Sequence, residues 1–333
     1  MTNGLPECYV VQPIHPAGVE RLRAQGVSVR FATSPDMATV AEEVGSAQAL
    51  ITRDAGLTQA VMDAAPALRI ISNHGVGTNK VDVAHAHALG IPVANTPEAN
   101  TRSVAEHAVM MMLAVARRAA EADTAVRNGD WAFRYTGGMA EISEKVLGLV
   151  GFGSIAQMTG AIARDGFGMR LLVWSPNAPD AVLADCGAER AATLTELLGA
   201  ADFVSLHRPL RPDTHQTINA DALAAMKPGA ILVNTARGGL IDEAALARAL
   251  KARHIAGAGL DVFDTEPPAR NNPLLALPNV LLAPHIAGAT EDALKATALT
   301  CAEHVLAALA GREPRHLLDP SVWLRGRGSV AAD

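Results

Sequence analysis

Short apolar runs alternate along this chain with longer stretches in which Ala, Leu and Val recur at helical spacing. Runs at 8–11, 27–31, 49–51, 68–72 and 92–94 read as buried strands, with helices such as 20–25 and 58–64 between them. A long helix is expected over 103–118, with Thr101 as its cap. Residues 127–145 break the pattern: they are Gly-rich and hold Trp131, Phe133 and Tyr135. The alternation resumes at 146–150 and continues at 171–174, 203–206, 231–234, 257–260 and 280–283. Strands that alternate with helices predict an α/β fold with parallel sheets covered on both faces. At about 150 residues per domain, 333 residues accommodate two such domains. The expected division is 1–100 with 287–333 as one domain and 101–286 as the other, the last helix returning to the first domain.

Composition narrows the choice of function. Hydrophobic residues make up 49% and charged residues 19%, enough apolar material for two cores. A net charge of −6 and the lack of a Lys/Arg-rich run argue against nucleic-acid or anionic-membrane partners. Aromatics reach only 3%, too few for stacking platforms. Cys8, Cys186 and Cys301 stand far apart without a CxxC pair, so no metal site or disulfide framework is expected. His85 and His87, two apart on a helix, do not face one another and make no metal pair. The first residues lack a basic region followed by an apolar run, and the most apolar stretch, 104–116, carries Glu106 and His107. A cytoplasmic protein with reduced thiols is expected.

The segment V-L-G-L-V-G-F-G-S-I-A places Gly151, Gly153 and Ala156 between an apolar strand and a helix. A lone G-x-G-x-x-A is common; this context makes it a dinucleotide-binding turn. Gly151 allows the tight turn, Gly153 lets backbone approach a pyrophosphate, and Ala156 lets the helix pack on the strand. An acidic residue usually ends the next strand to bind a ribose 2′-hydroxyl. Here Ser175 stands there, which removes the barrier to a 2′-phosphate, so both NAD and NADP stay open.

Seven stretches then align the chain with a known family. They are H-G-V-G-T-N-K-V-D (74–82), N-T-P-E-A-N-T-R-S-V-A-E-H (95–107), the glycine turn, V-S-L-H-R-P-L (204–210), N-T-A-R-G-G-L-I-D-E (234–243), G-L-D-V-F-D-T-E-P-P (259–268) and A-P-H-I-A-G-A-T (283–290). In order and spacing they resemble the D-isomer-specific 2-hydroxyacid dehydrogenases across roughly residues 45 to 320. The resemblance implies a flavodoxin-like substrate domain and a Rossmann dinucleotide-binding domain. It also implies hydride transfer between NAD(P)H and a small 2-oxo acid or D-2-hydroxy acid.

That chemistry needs a cation on the substrate carboxylate, a proton donor for the developing alkoxide, and a group that aims the donor. Arg237, after an apolar run and before two glycines, suits the first task. His285 suits the second, and Glu266 suits the third by favouring the imidazolium. The resemblance matches Arg237, Glu266 and His285 to the family's catalytic set. It also implies cofactor contacts from Ser154, Ile155, His207, Arg208, Thr235, Ala236, Asp261 and Gly288. Backbone N–H groups of Gly75, Val76 and Gly77 would share the substrate carboxylate with Arg237. Arg208 and Ser175 together would accept a 2′-phosphate.

Asn73 stands where phosphoglycerate dehydrogenases of the family commonly carry Arg, which favours glyoxylate or hydroxypyruvate over 3-phosphoglycerate. Arg53 and Arg134 remain candidate phosphate partners. A reading from another class is a nicotinamide-sensing interaction protein like the family's corepressors, disfavoured by the lack of long charged tails. The helix at 103–118 and the aromatic arm at 127–145 imply a homodimer.

Overall fold

The computed structural model describes residues 5–326. One compact unit holds the chain up to Asn100 together with residues from Ala289 onward; the other is Thr101–Gly288.

The first unit is built on five parallel strands: β1 (Glu7–Val10), β2 (Ser28–Phe31), β3 (Ala49–Thr52), β4 (Ile70–Asn73) and β5 (Val93–Ala94). Their order, β2-β1-β3-β4-β5, is the flavodoxin-like doubly wound arrangement. Every residue of β3 and β4 is buried, as a sheet covered on both faces requires. Alternate side chains feed two cores. Cys8, Val10, Ile51 and Ile70 pack with Val19 and Leu22 of the helix Pro16–Ala24 and with Ala298 and Val305 of Glu291–Leu309. Tyr9, Leu50, Ile71 and Val93 pack with Val40 and Val44 of Met37–Val44 and with Val61 and Met62 of Gln59–Asp63.

The second unit has seven parallel strands: β6 (Val146–Val150), β7 (Arg170–Trp174), β8 (Ala188–Arg190), β9 (Phe203–Leu206), β10 (Ile231–Asn234), β11 (Gly257–Leu260) and β12 (Val280–Leu282). The order β12-β11-β10-β9-β6-β7-β8 is the dinucleotide-fold order with one further edge strand. The winding reverses between β6 and β9, so a crevice opens beyond their carboxyl ends. Leu147, Leu149, Phe203, Ile231 and Val233 face the helices Thr101–Ala116 and Ser154–Phe167, while Val204, Leu206 and Leu232 face Leu194–Ala200 and Glu243–Lys251.

Local chemistry accounts for the departures from the expected pattern. β8 reads Ala-Glu-Arg on an exposed edge, so no apolar run announces it. The long helix starts at Thr101 itself, so Thr101 is its first residue and not its cap. It stops at Ala116 because Arg118 takes a left-handed conformation (φ 51°), after which a new helix, Ala119–Arg127, begins. Within the arm the one regular stretch among the described residues is a 3-10 turn, Trp131–Tyr135. No helix among the described residues is long and apolar enough to cross a membrane.

The helix Glu291–Leu309 brings a histidine into the first unit's core. His304 is buried with Nδ1 3.0 Å from Ser72 Oγ of β4, and its ring meets that of His316 edge-on at 5.9 Å. Burial lowers its pKa from 6.5 to about 4, and the neighbouring His316 adds to the effect. The unfolded chain therefore binds the extra proton first as pH falls, and stability drops from pH 6.5 down to about 4. The full shift is worth about 3 kcal/mol. Unfolding midpoints measured across this window should fall in the wild type and fall less steeply in His304→Gln; equal slopes would refute the assignment.

Candidate active site

β6 ends in a turn that only glycine satisfies. Gly151 has φ 94°, and a Cβ there would lie 2.7 Å from the His207 carbonyl oxygen and 2.9 Å from Arg208 Cγ. Its N–H donates to Trp174 O at 2.9 Å, joining the turn to the end of β7. Gly153 then starts the helix Ser154–Phe167 with no side chain capping it, and a Cβ there would meet nothing within 4 Å. Gly153 and Ser154 are exposed, Ile155 is half-buried, and Ala156 is fully buried against the sheet. The result is a set of first-turn N–H groups facing open space, which fits the pyrophosphate of a dinucleotide.

Around this turn, β9 delivers His207 and Arg208. His207 Nε2 lies 2.9 Å from Ser205 Oγ, and desolvation lowers its pKa to about 4, so the ring is neutral near pH 7. The Arg208 guanidinium lies over the Trp174 ring, 4.9 Å from its centroid, and half-buried Ser175 follows Trp174 in the chain.

β10 ends in fully buried Asn234, whose amide shapes the next loop. Its Nδ2 donates to Arg237 O at 2.9 Å, and its Oδ1 accepts from Ala236 N at 3.0 Å. Arg237 follows in extended backbone with Nη1 donating to Ala236 O at 2.6 Å. Gly238 then presses on the strand β11 exit: a Cβ there would sit 1.8 Å from the Phe263 carbonyl carbon. Thr235 is buried, and its hydroxyl has no hydrogen-bond partner among the described residues.

Glu266 and His285 meet directly. Glu266 Oε2 accepts from His285 Nδ1 at 2.9 Å while Oε1 accepts from Phe263 N at 3.1 Å. That contact selects the tautomer with a proton on Nδ1 and leaves Nε2 outward on a ring that is 43% exposed. His285 also has φ 55°, an uncommon backbone for a residue with a side chain. Asp261 holds it there. His285 N donates to Asp261 O at 2.8 Å, and the fully buried Asp261 carboxylate accepts from Ile286 N at 2.8 Å and Ala287 N at 2.9 Å. His107 Nε2, from the helix Thr101–Ala116, stands 3.5 Å from the same carboxylate. These bonds keep 285–287 with the second unit, which closes at Gly288. Arg237, Glu266 and His285 thus follow the adjacent strands β10, β11 and β12 at one sheet edge.

In the first unit, the loop after β4 has its carbonyls occupied. Asn73 Nδ2 donates to Gly75 O and Gly77 O, both at 3.0 Å. Asn95 Nδ2 donates to Val76 O at 2.7 Å, and Thr96 N to Gly75 O at 3.1 Å. The N–H groups of Val76 and Gly77 donate to nothing among the described residues. Asn73 therefore acts as a splint, a role that its lack of charge concealed in the sequence. Arg53 donates to Pro13 O at 2.9 Å and lies 3.8 Å from Asp54, while Arg134 stacks on Tyr135. No cluster of three or more His, Cys, Asp or Glu among the described residues forms a metal site.

Residues 109–287 match the sequence profile of the D-isomer specific 2-hydroxyacid dehydrogenase, NAD binding domain. The chain belongs to this family. It is 40% identical over 308 residues to a D-3-phosphoglycerate dehydrogenase of Mycobacterium leprae, a match covering 92% of this chain and 57% of that protein. It is 42% identical over 293 residues to a glyoxylate reductase of Thermococcus onnurineus, covering 84% of this chain and 85% of that one. Among solved structures, an NADPH-dependent glyoxylate/hydroxypyruvate reductase of Sinorhizobium meliloti, in complex with NADP and malonate, superposes with a TM-score of 0.83. Its sequence identity is 31%, with 95% of this chain and 97% of that one covered. The chain thus spans little more than half the length of the mycobacterial relative.

Removing the Asp261 carboxylate leaves two backbone donors, one of them buried, without their acceptor and frees a strained loop. Asp261→Ala should cost about 3 kcal/mol of stability, read from the thermal midpoint. A midpoint unchanged within a degree would show that the clamp contributes nothing.

Proposed function

We propose that this chain is an NAD(P)-dependent D-2-hydroxyacid dehydrogenase that works mainly as a reductase of a small 2-oxo acid. The observation that carries this reading is the Glu266–His285 contact at 2.9 Å, formed at the sheet edge that also bears Arg237. The N–H groups at Gly153, Ser154 and Ile155 hold the cofactor pyrophosphate. Neutral His207 with Thr235, Ala236 and Gly288 lines the pocket; Asp261, expected as a cofactor contact, is fully buried and instead supports the loop after β12 from behind. The bound nicotinamide supplies the hydride.

Arg237 holds the substrate carboxylate and draws electron density toward the carbonyl oxygen. As the carbonyl carbon gains its C–H bond, the oxygen takes the proton of His285 Nε2 and becomes the hydroxyl. Glu266 keeps Nδ1 protonated, so the imidazole arrives charged and leaves neutral with its ring still aimed. The free N–H groups of Val76 and Gly77 are the first unit's offer to an anionic substrate. Glyoxylate and hydroxypyruvate fit this set best, because Asn73 brings no cation and Arg53 is engaged with Pro13 O and Asp54. Oxidation of 3-phosphoglycerate is the second reading, favoured by the 40% identity to the mycobacterial enzyme.

The same reading places the protein in the cytoplasm as a homodimer. Trp131 and Tyr135, 69% and 78% exposed, support a partner copy over the arm, since large aromatics are costly to leave in water.

Glyoxylate, hydroxypyruvate, other 2-oxo acids and the 2-oxo acid derived from 3-phosphoglycerate, each assayed by absorbance of the reduced nicotinamide, test the reading. At least one should turn over, and His285→Ala should lower kcat by about a hundredfold or more with cofactor affinity little changed. No turnover of any, or turnover surviving in His285→Ala, would overturn it. Sedimentation should show a dimer that Trp131→Glu with Tyr135→Glu converts to monomer; a wild-type monomer would refute that part.

A further inference from the structure

Among the described residues, Arg208 makes no hydrogen bond or ion pair; its one recorded contact is with the Trp174 face. The contrast with Arg190 nearby is instructive: its Nη1 donates to Ser175 O at 3.1 Å, Nη2 to Ala178 O at 2.5 Å, and Nε to Asp180 Oδ1 at 2.7 Å. Arg190 is consumed in shaping the turn after β7, whereas Arg208 keeps all five donors available.

Its position gives those donors a target. Arg208 Cγ lies 2.9 Å from where a Gly151 Cβ would be, and its guanidinium lies over Trp174 at the carboxyl end of β7. In a dinucleotide fold the residue after this strand faces the ribose 2′ position of the adenosine half. That residue is Ser175, a hydroxyl donor with no charge, and the one acidic side chain of the turn bonded here, Asp180, is paired with Arg190. A carboxylate at 175 would repel a 2′-phosphate and neutralise Arg208; serine does neither.

We propose that Arg208, lying over Trp174 and assisted by the Ser175 hydroxyl, is the specificity-determining residue for a 2′-phosphorylated cofactor, so that this chain takes NADP in preference to NAD. The proposal rests on the reading of the second unit as a dinucleotide binder. The guanidinium fork donates two parallel hydrogen bonds to the phosphate oxygens, and the contact with the indole holds the side chain near that place before the phosphate arrives.

The test is binding without turnover. Calorimetric titration of the purified chain with 2′,5′-ADP, 5′-AMP, NADP and NAD isolates the 2′-phosphate. The wild type should bind 2′,5′-ADP about tenfold or more tightly than 5′-AMP, and NADP likewise over NAD. Arg208→Ala should abolish both preferences, lowering 2′,5′-ADP and NADP affinity about tenfold or more relative to 5′-AMP and NAD. Ser175→Asp, which leaves the Trp174 stack in place, should reverse them. Equal affinities for the paired ligands in the wild type, or a preference that survives Arg208→Ala, would overturn the proposal while leaving the dinucleotide reading intact. Failure of all four ligands to bind would overturn that reading as well.

Discussion

The arrangement of the second unit's chemistry depends on one buried carboxylate. Asp261 leaves β11 fully buried, and its two oxygens accept the N–H groups of Ile286 and Ala287 after β12. Burying an ion is unfavourable unless its hydrogen bonds are made, so the loop must come to it. Once it has, His285 is forced into a left-handed backbone that turns its ring toward Glu266. The strain of that conformation, of order 1 kcal/mol or more, is offset by charge-assisted bonds on the next two residues. His285 and Glu266 thus meet because Asp261, outside their contact, fixes the loop.

Much of this was legible in the sequence. The inner strands of both sheets announce themselves as apolar runs because they are buried on two faces, and the glycine turn because Gly151 and Gly153 stand between such a run and a helix. β2, expected to be buried, is an edge strand whose residues are exposed or half-buried. Arg237, Glu266 and His285 were visible only through the order of motifs, since nothing in their spacing says that they share an edge. Other features left no trace. β8 is an exposed edge of Ala, Glu and Arg, for which period and hydrophobicity are silent. The break at Arg118 sits in a continuous helical pattern, because its left-handed backbone is set by tertiary contacts: the side chain ties Glu121 to Thr136 and Gly137. The clamp by Asp261 pairs residues 25 and 26 positions apart through backbone N–H groups, and backbone donors carry no sequence signal.

Two asparagines show a common solution at both candidate anion sites. Asn73 ends β4 and Asn234 ends β10; both are buried, and both spend their amides on the loop that follows. An amide here does what a carboxylate or a lysine would not. It offers donors to carbonyls, and in Asn234 an acceptor as well, so the loop is held without adding charge. An Asp at either place would lose the donor that each amide gives these carbonyls and would bring a negative charge in its stead. A Lys would bring positive charge but no acceptor for Ala236 N, and would pay several kcal/mol of desolvation at a buried strand end. The net charge of −6 is therefore no obstacle to anionic ligands. Within a few ångströms of the first-turn N–H groups, of Arg208 and of Arg237, fixed local donors outweigh a surface charge that salt screens over about 10 Å.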